Sequence, residues 1–272
     1  MLGCMRVGVG TPVAYGGTTM RMMIMAAAGL LASAGGAMSQ DWGPYGEEQG
    51  VVGAVARWPS GAILFARCDN GRLDLLAPLA APVEGEFALA EYSFNDGDTT
   101  VESWSASADG RTVFARNPAR FARTLMSASS LSLRVTGDNA PSQRFELNLS
   151  SDTASLASTL NACGHTLTDS RDALPLISAP QWASRPNASI IRRLYPLEAA
   201  AAQTTGVAHV ACVARWDGTL EDCRLLSETP PDMGFGEATL RAARHHRLEA
   251  APQQGADPRR GMVHLSIRWE LG

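Results

Sequence analysis

Alternation of apolar and polar positions is the dominant pattern along this chain, and turn residues punctuate it. Residues 62–67 and 72–76 flank Asn70-Gly71, a dipeptide suited to the two positive-φ positions of a tight hairpin. Residues 87–94 run up to Asn95-Asp96-Gly97-Asp98, and residues 101–106 and 111–115 flank Asp109-Gly110. Residues 131–135 and 145–149 alternate as half-buried strands do. Two helical stretches interrupt them. Residues 118–126 carry Pro118 near the start and Phe121, Leu125 and Met126 on one side. Asp152 caps a helix bearing Leu156, Leu160 and Cys163 that ends at Gly164, with His165 as a C-cap side chain. The pattern predicts a β-rich domain with two helices over residues 40–168.

Residues 169–182 lack periodicity and begin a Pro-rich stretch, the mark of a linker. A second domain over residues 183–272 follows. Leu194-Tyr195-Pro196 opens a helix at 197–203; a strand at 206–216 turns at Asp217-Gly218 and returns through 220–226. Pro230-Pro231 breaks it, and residues 235–246 form a helix with Phe235, Ala238, Ala242 and His245 on one face. The last strand places Val263, Leu265, Ile267, Trp269 and Leu271 on one face and Met262, His264, Ser266, Arg268 and Glu270 on the other. The order is α-β-β-α-β around an antiparallel sheet, and the fold class is α+β.

Residues 1–39 read as an address. Arg21 precedes the uncharged stretch 22–39, which ends in Ala37-x-Ser39, the layout of a secretory signal peptide; Met20 is an alternative start. The competing reading is an uncleaved anchor, because 18 uncharged residues come near the roughly 20 that span a bilayer. Either reading places the remainder outside the cytoplasm, as a periplasmic chain. Export also changes the cysteine arithmetic. Of five Cys, Cys4 falls in the leader, and Cys68, Cys163, Cys212 and Cys223 remain, an even set that reads as disulfides. A two-residue turn at 217–218 sets Cys212 opposite Cys223, and a longer bulged turn makes the pair diagonal. Pairing them leaves Cys68 with Cys163, a long loop whose closure contributes about 4 kcal/mol in the chain-entropy account.

Composition narrows the function. A net charge of −4, with all 23 basic residues Arg, excludes a general nucleic-acid binder. No G-x-S-x-G, Walker A or H-E-x-x-H motif occurs, His245 and His246 are adjacent and cannot chelate from one helix face, and the cysteines lack zinc spacing. No catalytic group, metal site or cofactor is expected.

The residues Tyr195-Pro196-x-x-Ala199, Gly206, Asp217-Gly218, Pro230 and Gly234-Phe235-Gly236, followed by the alternating last strand, carry a family resemblance. Residues 183–272 resemble the C-terminal domain of TonB-family energy transducers of Gram-negative bacteria. The resemblance implies a protein-binding module whose sheet edge pairs with an extended segment of an envelope protein, such as a TonB-dependent outer-membrane transporter. The chain departs from the family in three ways. Arg247-Leu248-Glu249-Ala250 stands where the family has an aromatic residue and then Pro, the stretch 22–39 lacks a His, and a β-rich domain replaces the long Pro-rich spacer. The candidate partner-binding strand bears Met262, His264, Ser266, Arg268 and Glu270 outward; the competing reading is an ordinary sheet strand whose edge the first domain covers. Self-association through the same edge in an envelope-maintenance role is the alternative, and an enzyme site in residues 40–168 is a third.

Overall fold

The computed structural model describes residues 41–46 and 51–271, so the expected leader, the Met20 start and Cys4 lie outside the described residues. The first part of the chain forms strands β1 (Gly43–Tyr45), β2 (Val51–Arg57), β3 (Ile63–Asp69), β4 (Arg72–Pro78), β5 (Glu84–Phe94), β6 (Thr100–Ala106) and β7 (Thr112–Phe114). Helix α1 (Pro118–Ser127), strands β8 (Ser130–Asp138) and β9 (Gln143–Asn148) and helix α2 (Ala154–Ala162) complete it. The strands make one antiparallel nine-stranded sheet, ordered β1-β2-β3-β4-β7-β6-β5-β8-β9.

The period-two pattern explains which face is inside. Leu64, Ala66 and Cys68 of β3, Leu73, Leu75 and Ala77 of β4, and Leu131, Leu133 and Val135 of β8 are buried in one core with Phe121, Ala122 and Leu125 of α1 and Leu156 and Leu160 of α2. The sheet curls round these helices: Trp58, just past β2, donates to the carbonyl of Asn148 in β9 at 2.8 Å. Asn70 and Gly71 adopt φ of 49° and 79°, the two positive values the β3–β4 turn requires. The Cys68–Cys163 bridge, with Cα atoms 5.4 Å apart, fastens the end of α2 to β3. The cap of α2 is Thr153, not Asp152; the Asp152 carboxylate instead accepts the Ala154 N–H at 3.2 Å. His165 caps through its backbone N–H, which donates to the Leu160 carbonyl at 3.0 Å.

The second part contains β10 (Trp182–Ser184), α3 (Ala188–Leu194), α4 (Leu197–Ala201), β11 (Gly206–Arg215), β12 (Leu220–Thr229), α5 (Phe235–Ala243), β13 (Arg247–Leu248) and β14 (Arg259–Trp269). A three-stranded antiparallel sheet is ordered β12-β11-β14, and β10 pairs with β13. Its odd-numbered β14 residues are buried in two clusters: Ile267 and Trp269 with Phe235, Ala238 and Ala242 of α5, and Val263 and Leu265 with Ala243 and Leu248. Gly206 is required by the close approach of Phe235, whose ring lies 2.3 Å from where a Cβ would sit. Helix α5 ends at Ala243, so His245 is exposed and not part of the apolar face; Leu271 is likewise exposed. Helix α3 is absent from the sequence reading because it buries no residue; Asn187 starts it by accepting the Ile190 N–H at 3.0 Å.

The β11–β12 turn is the longer, bulged kind: Arg215 N–H donates to Thr219, and Ala214 pairs with Leu220. A second irregularity between Ala211 and Val213 returns the register to Ala211 opposite Arg224. The two shifts cancel, which brings Cys212 and Cys223 face to face in a bridge with Cα atoms 4.0 Å apart. Residues 169–182 are held in place. A 3-10 turn spans Ser170–Ala173, and the Asp169 carboxylate meets Arg171 at 2.8 Å, Arg224 of β12 at 3.1 Å and Arg123 of α1 at 3.7 Å.

Candidate functional site

Strand β11 is central, so β12 and β14 are both edges. They differ in kind. β12 carries both register irregularities, a positive φ at Asp222 and the charges of Glu221, Asp222 and Arg224, features that discourage pairing with a further strand. β14 keeps an unbroken register with β11 from Gly261 to Trp269. One end of its outer edge is covered: Met262 N–H donates to Pro175 and Met262 C=O accepts from Ile177, each at 2.8 Å. Since backbone groups alternate sides along a strand, the N–H and C=O of His264, Ser266 and Arg268 point to this same outer side. Among the described residues no backbone group pairs with them there.

A groove of about 380 Å³ runs along these three residues. Its far wall is built from Pro180, Trp182, Arg185, Pro186 and Ile191, with His246 beneath. Trp182 is set by an edge-to-face contact with His246, ring centroids 5.2 Å apart, and by its β pairing to Leu248. Leu248, 1 % exposed, therefore anchors the groove wall at the position where the family pattern differs.

The even-numbered face of β14 is not the solvent face expected from the alternation. It meets the nine-stranded sheet and α1. Met262 is buried, and its sulfur lies 3.6 Å from an Arg120 nitrogen. The His264 side chain is 6 % exposed, with Nδ1 3.3 Å from Glu102 Oε1. Ser266, Arg268 and Glu270 remain exposed, as expected. Ser266 Oγ accepts from Arg116 at 2.6 Å and lies 2.7 Å from His209 Nδ1, and Arg268 reaches Glu86 at 2.8 Å. Two residues are corrected for one physical reason: alternation defines two faces, but it does not say what covers the second.

Burial governs the charges at this joint. It pushes the Glu102 carboxyl upward, against hydrogen bonds from Trp104 and Tyr92 and the pull of Arg116 and Arg120. It pushes His264 down to about 3 and His209 to about 4, reinforced in both cases by Arg116. The His264–Glu102 contact therefore sets a neutral imidazole beside the carboxyl group and is not an ion pair. Burial also lowers Arg116, while Glu102 raises it. None of Glu102, Arg116 or Arg120 stood out in the sequence, since each lies in a stretch without any motif.

The motif residues do packing work. Tyr195 donates to the Thr204 carbonyl at 2.7 Å and sets its ring edge-on to Phe235 and Trp269, and Ala199 and Phe235 are fully buried. The Gly236 N–H donates to Glu228, and Asp217 accepts from Thr219 at the turn. Gly218, at φ 86°, comes so close that a Cβ would sit 2.0 Å from the Leu248 carbonyl oxygen. These residues build the sheet and its turn; the open edge lies beside them. Among the described residues no three His, Cys, Asp or Glu side chains gather at metal-binding distance, and no helix is long and apolar enough to cross a membrane.

No curated protein matches the chain. Residues 192–271, however, match the family model of the Gram-negative bacterial TonB protein C-terminal, so this end of the chain is a TonB C-terminal domain.

Proposed function

We propose that this chain is an exported, periplasmic protein-binding module that takes an extended segment of an envelope protein, such as an outer-membrane transporter, as a further strand on β14. The observation that carries the reading is the open edge at His264, Ser266 and Arg268, which lines a groove of about 380 Å³. Added strands gain main-chain hydrogen bonds for affinity and side-chain pockets for specificity. On this reading residues 40–168 and 183–272 are two domains joined by 169–182, and the first domain covers the sheet face that the helices leave open.

Photo-cross-linking in cells tests it. A photoreactive residue at Arg268 is expected to give an adduct with an envelope protein, and the same probe at Glu221 on the opposite edge is expected to give none. An adduct of twice the chain's mass from Arg268 would replace the partner by a second copy. Adducts from Glu221 alone would move the binding surface to β12.

A further inference from the structure

The outermost layer of the second part is a cationic helical face. Helix α5 packs on the odd-numbered face of β14, and α3 packs on α5 through Ile191 and Leu194. The nine-stranded sheet meets the opposite, even-numbered face of β14, so the outer sides of α3 and α5 look away from it. The two helices run antiparallel. Pro196, just past α3, lies 3.4 Å from where a Cβ on Gly234, the cap of α5, would sit. Arg185, just before α3, stands over the Trp182 ring, which touches His246 just past α5. With Ile191 and Leu194 turned inward, Arg192 and Arg193 are exposed; with Ala238 and Ala242 buried, α5 exposes Glu237 and Arg241 and, at its end, Arg244 and His245.

The arginines of this face are unlike the others. Arg67, Arg134, Arg144, Arg215 and Arg224, on the strands, each meet a carboxylate. On the helical face Glu237 is taken by Arg241 at 2.6 Å. Arg185, Arg192, Arg193 and Arg244 are exposed, and among the described residues no carboxylate comes within salt-bridge distance of them. The chain has 27 acidic side chains for 23 basic ones, so carboxylates are not scarce. Four free guanidiniums on one face are a complement for an anion from outside.

Their layout says what kind of anion. Arg192 and Arg193 stand at one end of the helix pair and Arg185 and Arg244 at the other, so they match a sheet of charge rather than a single small ion. Leu197, 87 % exposed just past α3, adds an apolar side chain at the first end. Phosphates spread over an apolar layer answer both features, since guanidinium pairs with phosphate through two parallel hydrogen bonds.

We propose that the α3–α5 face lies on an anionic phospholipid bilayer, with Arg185, Arg192, Arg193 and Arg244 on headgroup phosphates and Leu197 in the boundary beneath them. The whole chain carries −4 and is repelled at long range, but within a Debye length, about 10 Å at 0.1 M salt, the local face decides. Arg185 also lines the groove along β14, so a chain lying on this face holds the groove at the membrane surface. The inference needs no docked strand and stands or falls apart from that reading.

Purified full chain is sedimented with vesicles of phosphatidylcholine alone, or of phosphatidylcholine and phosphatidylglycerol in equal parts. Binding is expected to the anionic vesicles only. It should fall at least about tenfold between 0.1 and 1 M salt, as the Debye length shortens to about 3 Å. Each arginine near such a surface contributes about fivefold to partitioning, so Arg192→Gln with Arg193→Gln should lower it about 25-fold, and the corresponding Lys pair should restore it. Arg134→Gln with Arg144→Gln removes the same charge from β8 and β9 and should leave binding within about twofold. Binding to neither vesicle, or equally to both, overturns the proposal. Equal losses in the two Gln pairs overturn the face, because net charge alone would then account for binding. Tighter binding to soluble polyglutamate than to the anionic vesicles replaces the membrane by an acidic protein. Should the Arg192 and Arg193 pair fail to fold, Arg185→Gln with Arg244→Gln carries the same test from the other end of the helices, and undiminished binding there overturns the assignment.

Discussion

Replacing Arg268 by proline isolates the docking role of the β14 edge from its structural role. The Arg268 N–H points away from β11, so a pyrrolidine ring there removes no ladder hydrogen bond, which is why edge strands tolerate proline. The loss to the folded chain is the ion pair with Glu86, whose partners are 56 % and 70 % exposed and whose worth is about 0–1 kcal/mol. The melting temperature should therefore fall by no more than about 2–4 °C. Ile267→Pro is the control: its N–H faces Ala208 of β11 and its side chain is 9 % exposed, so losing the bond and the fit costs about 3 kcal/mol or more. An added strand sees the opposite ranking. Arg268→Pro removes a donor worth about 1 kcal/mol and sets a ring where the new backbone must lie, so binding of strand peptides should weaken at least about tenfold. Calorimetric titration beside thermal melts reads both quantities. Unchanged binding by folded Arg268→Pro would refute the edge argument.

Three further outcomes follow from the packing and the charges. Gly206→Ala drives a methyl into the Phe235 ring and should cost about 1–3 kcal/mol in urea unfolding, with native far-ultraviolet dichroism retained. Asp169→Asn weakens the contacts to Arg171, Arg224 and Arg123 at once and should cost about 1.5–3 kcal/mol. Because the Arg171 hydrogen bond holds Asp169 well below the usual carboxylate range, its contribution is present above the unfolded pKa, roughly 3.9, and is lost as pH falls below it. His209, lowered to about 4, binds its proton less readily folded than unfolded, so its contribution is complete above roughly 6.5 and is lost as pH falls toward 4. His209→Gln should therefore flatten the stability profile by about 2 kcal/mol between pH 6.5 and 4.5. Glu102, raised by burial, works in the opposite sense: its contribution is lost as pH rises through its folded pKa, which narrows the window but leaves the His209 difference readable.

Local chemistry was legible wherever neighbours in sequence are neighbours in space. Asn70-Gly71 names its own turn, the even cysteine count favours the two bridges seen, and the faultless alternation of 262–271 locates β14 within a few residues. The sequence leaves the β11–β12 turn open between two forms: it is the longer, bulged one, yet Cys212 still meets Cys223 because a second irregularity cancels the first. What stayed hidden is long-range. Ser266 and Arg116 stand 150 positions apart, and no pattern on β14 reveals that the nine-stranded sheet covers its polar face. The groove wall was hidden for another reason. Trp182 lies in a proline-rich stretch without period, and it is fixed by pairing with Leu248, a contact that only the folded chain defines.

Residue-resolved amide hydrogen exchange on the full chain, free and saturated with a strand-forming peptide, tests the central claim most directly. The account predicts fast exchange at His264, Ser266 and Arg268 in the free chain, slow exchange at Val263, Leu265 and Ile267, and protection of the first three on binding while β12 is unchanged. Protection of His264, Ser266 and Arg268 already in the free chain, or protection gained on β12 instead, would contradict it.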